Sequence, residues 1–210
     1  MGEEKELLVM LHGSRNLKEN NIIEIQESKK GKYEYGAGFY LTTSYTTARK
    51  YARNSNQVWE IYLEPPKLLK FTDTLPLEDI EDFIHSQHRM KGKSKVLKDI
   101  QYYAIKNEKI EKFPIEVLLN TLVNNDCLSG AYGVNFTKWL TKHGFDAIKA
   151  IKSGEDWLII FNPKIIKTFN RVKDYDDKPS LAEQLKTIEE KKLLNSEIQQ
   201  IKMNNKLKIA

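Results

Sequence analysis

Three kinds of side chain able to do chemistry, imidazole, phenol ring and carboxylate, occur in an informative order. His12 closes the apolar run LLVMLH and is followed at once by Gly13, Ser14 and Arg15. The segment GAGFYLT at 36–42 then carries Tyr40 just behind Gly38, and the short pattern TTARKYARN brings Tyr51. Much further on, the turn SGED supplies Glu155 and Asp156 ahead of the apolar run WLIIF. An imidazole trades a proton near neutral pH, aromatic faces attract a flat cation, and a carboxylate stabilises developing positive charge. This order suits a site that grips a flat, positively charged ring. Each residue also has an ordinary duty: a core histidine, core aromatics, acids in a tight turn.

The bulk composition leaves room for that reading. With 210 residues, 40% of them hydrophobic and 30% charged, the chain is long enough for one domain with a sizeable core and an appendage. No apolar stretch reaches membrane-spanning length, so no membrane partner is expected. The start MGEEKELLVMLHGS puts acids before a very short apolar run, unlike a secretory signal, and a cytoplasmic location is expected. Cys127 is the single cysteine, which excludes an internal disulfide and fits a reduced, half-buried thiol with no base beside it. His85 and His88 share a helix face but have no further Cys or His nearby, so no metal site is expected. The formal charge of +5 permits a nucleic-acid partner without requiring one.

Periodicity places these residues on elements. The run ending at His12 reads as a buried strand, 16–30 as a frayed helix, and 36–43 as a strand opened by Gly36 and Gly38. Thr43 or Ser44 caps the helix that carries Tyr51. VWEIYLE at 58–64 alternates as a strand should, until Pro65-Pro66 stops it. Residues 75–125 are mostly helical, 135–143 form a short helix closed by Gly144, and 145–151 and WLIIF are strands around the SGED turn. KIIKTF adds a last extended segment, and 180–203 is a long amphipathic helix that either packs on the domain or meets a partner.

LHGSR, GAGFYLT with its later tyrosine, HGFDAI and DWLIIFNPKIIK, in that order, resemble the ADP-ribosyltransferase superfamily, in its diphtheria-toxin and poly(ADP-ribose) polymerase-like branch built on a His-Tyr-Glu triad. The resemblance covers 7–63 and 135–168. It implies an α+β fold in which two small antiparallel sheets split around an NAD cleft. Residues 1–175 would form that domain, with a helical insert at 75–130, and 176–210 a C-terminal helix and tail.

The resemblance also implies roles. His12 would bond the nicotinamide ribose, the backbone of Gly13 would pair with the carboxamide, and Ser14 would contact ribose. Tyr40 would be the triad tyrosine and Tyr51 the ring stacked on the other face of nicotinamide. Arg15, Tyr33, Gly38 and Thr47 complete the expected NAD-binding set. Thr47 would stand in for a serine that the family often carries where this chain has Ala48. Asp156 is preferred as the acid and Glu155 comes second. NAD would be the co-substrate. The acceptor would be macromolecular, RNA or DNA slightly ahead of protein, in a toxin of a toxin–antitoxin or phage-defence system. An inactive NAD- or nucleic-acid-binding module is the alternative.

Overall fold

A computed structural model describes residues 6–18, 23–25, 35–55, 57–88, 90–108, 110–172 and 175–207. Nine strands are described: β1 (Leu8–Gly13), β2 (Phe39–Thr42), β3 (Val58–Leu63), β4 (Leu68–Leu69), β5 (Thr74–Pro76), β6 (Lys112–Pro114), β7 (Ala147–Lys152), β8 (Glu155–Ile160) and β9 (Ile166–Arg171). The helices are α1 (Tyr45–Ala52), α2 (Leu77–Ser86), α3 (Lys93–Lys106), α4 (Ile115–Asn124), α5 (Gly130–Lys142) and α6 (Leu181–Leu207). The class is α+β, as expected.

Seven strands join in the order β4-β7-β8-β2-β1-β3-β9, antiparallel except for β4 beside β7, while β5 and β6 make a separate ribbon. The expected split survives as a seam inside this sheet. β1 and β2 are paired at Leu11 and Thr42, whereas β1 runs beside β3 for six residues. Where the seam opens, the Gln184 carboxamide of α6 substitutes for a strand: Val9 N–H donates to its Oε1 at 2.8 Å, and its Nε2 donates to Val9 O at 3.0 Å. Buried backbone groups are thereby kept satisfied.

Successive side chains of a strand face opposite sides, and β8 shows it. Trp157 and Ile159 enter one core with the apolar stripes of α2, α3, α4 and α5. Leu158 and Ile160 enter a second core with Leu8, Met10, Leu181 and Ile188. Helices thus lie on both faces.

Several boundaries differ from those expected. The helix expected at 16–30 does not form at 16–18 or 23–25, which are irregular, and the rest of it lies outside the described residues. The block after residue 75 holds the β5–β6 ribbon as well as helices. Long-range pairing such as Leu75 with Phe113 leaves no local period to read. α6 docks through its first half only. Leu181 and Ile188 are buried, while Leu193, Leu194 and Ile198 are exposed. No described helix is long and apolar enough to cross a membrane.

Candidate active site

A cleft of about 280 Å³ opens beside the seam, at the low end of small-molecule sites. β1 contributes His12 and Gly13, β2 Tyr40 and Thr42, and α1 Ala48 and Tyr51, while β7 and β8 close it with Lys152 and Trp157. Tyr35 lines it too. His12, Tyr40 and Tyr51, three separate motifs in the sequence, therefore share one hollow.

His12 sits where β1 and β2 part. Its Nδ1 lies 2.9 Å from the Tyr40 carbonyl oxygen, and its ring packs 4.1 Å from that of Phe39. A carbonyl only accepts, so Nδ1 carries the proton and Nε2 of the neutral ring is left as an acceptor. A sugar hydroxyl could donate to it. Burial holds the imidazole below its ordinary pKa of 6.5, and the Tyr40 carbonyl, which favours the charged ring, opposes that in part. The tautomer is thus set by backbone, not by a second side chain.

Tyr40 donates its hydroxyl to Gly36 O at 2.9 Å, so its ring is held against the loop that precedes β2. Gly36 has φ +89, a left-handed conformation that glycine adopts without strain. Tyr51 is 58% exposed and meets Trp157 edge-on at 5.4 Å. An exposed ring at a cleft mouth is positioned to cover a ligand. The indole N–H of Trp157 is buried with no acceptor among the described residues.

Gly13 leaves no room for a side chain. A Cβ there would sit 1.7 Å from Ala48 O and 2.8 Å from Ala52 N, so the backbone of α1 packs directly on β1 at this point. Gly38 likewise lies behind the cleft, where a Cβ would be 2.3 Å from Ile159 Cγ2. Ser14 Oγ accepts from the amides of Asn16 and Leu17 at 3.2 and 3.1 Å, shaping the turn after β1. Neither Ser14 nor the exposed Arg15 lines the cleft. Tyr33 lies outside the described residues.

The two acids part company. Ser153 and Gly154, both with positive φ, turn β7 into β8 so that Lys152 pairs with Glu155 and Ala150 with Trp157. Glu155 therefore shares the face of Trp157 and Lys152, which line the cleft. Its Oε1 accepts from Thr47 Oγ1 at 2.9 Å. Asp156, preferred on the sequence, faces the other side. Its Oδ1 pairs with Lys149 Nζ at 2.7 Å and its Oδ2 accepts from Leu181 N–H at 2.8 Å. A period of two sends neighbours to opposite faces, so Glu155 and not Asp156 shares the face of Lys152 and Trp157, and neither acid is among the lining residues. Thr47 donates to Glu155 and does not line the cleft.

Ala150, Lys152 and Trp157 were not chosen from the sequence. The SGED hairpin held the clue, since a two-residue turn fixes which residues share a face with Glu155.

A family model described as ADP-ribosyltransferase in polyvalent proteins matches residues 3–174. The chain belongs to that family. Its members use NAD and act on acceptor molecules, and their general chemistry is ADP-ribosyl transfer. No curated protein and no solved structure matches the chain. The cleft, its two adjoining strands β1 and β2 and the facing strand β8 all lie inside the matched span, whereas α6 lies outside it. Among the described residues, no group of three or more His, Cys, Asp and Glu could hold a metal ion.

Proposed function

We propose that the protein is a mono-ADP-ribosyltransferase, with residues 1–175 as the transferase unit, that cleaves nicotinamide from NAD and passes ADP-ribose to a macromolecular acceptor. One observation carries this reading: His12, Tyr40 and Tyr51 line a common cleft, with Glu155 on the face that closes it. Nicotinamide would lie between the rings of Tyr40 and Tyr51, with ribose hydroxyls donating to His12 Nε2. As the C1″–N1 bond breaks, its electron pair leaves with nicotinamide and the ribose takes on oxocarbenium character. The Glu155 carboxylate stabilises that charge. The acceptor nucleophile then bonds to C1″ and its proton passes to Glu155.

Nucleic acid is the favoured acceptor. The exposed residues Arg49 and Lys50 of α1, then Arg53, follow one another beside the cleft, and α1 contains no acid. Arg15 is exposed on the neighbouring turn, where Ser55 Oγ donates to Ser14 O at 3.3 Å, and Lys152 stands across the cleft. Such a rim complements phosphate. With the exposed ring of Tyr51 it offers both charge and a stacking surface.

The decisive experiment supplies labelled NAD with separate RNA, DNA and protein pools. Label on RNA or DNA together with free nicotinamide supports the reading, and label on protein moves the acceptor. An absence of both label and nicotinamide defeats the enzyme. A module that binds NAD without turnover is the alternative, favoured by Ala48 in the place where the family often has serine. It predicts a thermal shift with NAD and no nicotinamide release.

We place the protein in the cytoplasm as a toxin of a toxin–antitoxin or phage-defence system. The exposed Leu193, Leu194 and Ile198 of α6 are the surface on which an antitoxin would act. Growth arrest on expression, relieved by His12→Ala or Tyr40→Ala, is the expected outcome.

A further inference from the structure

Thr47 occupies the third position of α1. Ser44 is the cap, and its Oγ accepts from the Thr47 amide at 3.3 Å. Helices begun by serine often carry Glu or Gln at that third position, turned back toward the cap residue's own N–H. Here the side chain turns outward from its helix instead. Its hydroxyl crosses to the sheet and donates to Glu155 Oε1 at 2.9 Å. Thr47 is buried and Glu155 half-buried, so water competes little for either group. A hydroxyl has one proton to give, and a hydrogen bond to a carboxylate is among the stronger ones. While it is held by Glu155, that proton is not available to a carboxamide carbonyl.

We propose that Thr47 is the positioning residue for Glu155, a role that rests on Glu155 being the acid of the proposed transfer. The hydroxyl anchors Oε1 against α1 and leaves Oε2 turned to the ribose and the incoming acceptor. Glutamate has three rotatable side-chain bonds and starts next to a tight turn, so without an anchor its carboxylate samples many placements. Anchoring it to the first turn of α1 ties the acid to the helix that carries Tyr51, and so registers the charge-stabilising group against the ring that covers nicotinamide. The task of Thr47 is then separate from NAD binding.

The test uses the full chain with Thr47→Val, which removes only the hydroxyl at similar volume, and Thr47→Ser, which restores it. Nicotinamide release, NAD affinity by calorimetry and Tm are measured for each. For Thr47→Val we expect turnover to fall about tenfold or more with NAD affinity within about twofold of the parent, and Thr47→Ser to recover most of the rate. Thr47→Ala reads the same loss if valine is not accommodated. In a Glu155→Gln background, Thr47→Val should add less than about twofold, because the group it positions has already been changed. Undiminished turnover in both Thr47→Val and Thr47→Ala overturns the proposal. So does a fall in NAD affinity that accounts for the whole loss, which would place Thr47 on the nicotinamide. A full independent effect in the Glu155→Gln background overturns it too. If Glu155→Gln itself keeps parental activity, the acid role fails and the positioning role goes with it. A sluggish Glu155→Gln beside a fully active Thr47→Val removes the positioning role alone.

Discussion

Asp156 and Leu181 are joined across the back of the sheet: the Asp156 carboxylate accepts the Leu181 N–H at 2.8 Å, at the first residue of α6. An acid at a helix N-terminus satisfies an orphan donor and complements the helix dipole. Lys149 completes the contact. Asp156 thus fastens the C-terminal helix, while its neighbour Glu155 lies on the sheet face that carries the cleft-lining Lys152 and Trp157. Asp156→Ala should lower stability by about 1–3 kcal/mol and leave nicotinamide release by the folded protein largely intact. Glu155→Gln should do the reverse, with release reduced about a hundredfold and Tm close to the parent. Chemical denaturation and a nicotinamide assay on the two variants decide it, and identical profiles would contradict the division of labour.

Gly13→Ala should be severe. The added carbon would overlap the Ala48 carbonyl oxygen at 1.7 Å, and that atom is helix backbone that cannot swing aside. A loss of about 3 kcal/mol or more is expected, seen as a Tm drop on the order of 10 °C. A soluble variant with parental Tm would mean that α1 does not sit on β1 as described.

Acid should weaken the fold in part through His12. Its pKa in the folded protein lies below the ordinary 6.5, chiefly because burial disfavours the charged ring. The unfolded chain therefore takes up this proton first as pH falls. The stability that His12 contributes is complete above 6.5 and is lost progressively on lowering the pH from there toward the depressed folded-state value. Urea unfolding between pH 7.5 and 5 should show a shallower decline for His12→Gln than for the parent. Equal slopes would remove this histidine from the account.

Cys127 should be inert while the protein is folded. Burial, assisted by the negative charge of Asp126, pushes its thiol up to about 11, and its Sγ lies 3.2 Å from Asn125 O. At pH 8 almost none of it is thiolate, the form that reacts. Iodoacetamide should leave the native protein unmodified and label it fully after denaturation. Mass spectrometry gives the answer directly, and rapid native labelling would refute it.

Ser180 and Glu183 show how much of a helix start can be read locally. The serine hydroxyl and amide both reach Glu183 Oε2 at 2.8 Å, and the Glu183 amide returns to Ser180 Oγ at 3.2 Å. That reciprocal box lies within four residues, and the sequence alone places the start of α6 near it. The same holds for Ser44 before α1, for Gly144 after α5, and for the alternation of β3. The order of the motifs around His12, Tyr40 and Tyr51 was likewise legible, because strand, turn and helix signals each span only a few residues.

What the chain's order could not settle is which face a residue takes once strands from distant segments pair. Glu155 and Asp156 are adjacent and chemically alike, and only the pairing of Lys152 with Glu155 puts one on the face of the cleft-lining residues and the other against α6. That the backbone of Ala48 packs against Gly13, 35 positions earlier, is likewise invisible in a short window. That Thr47 meets an acid 108 positions away is equally beyond any local signal. Capping and periodicity are properties of a short window of backbone, so sequence determines them. Which side chain meets which is settled when the sheet closes and its two faces become different environments.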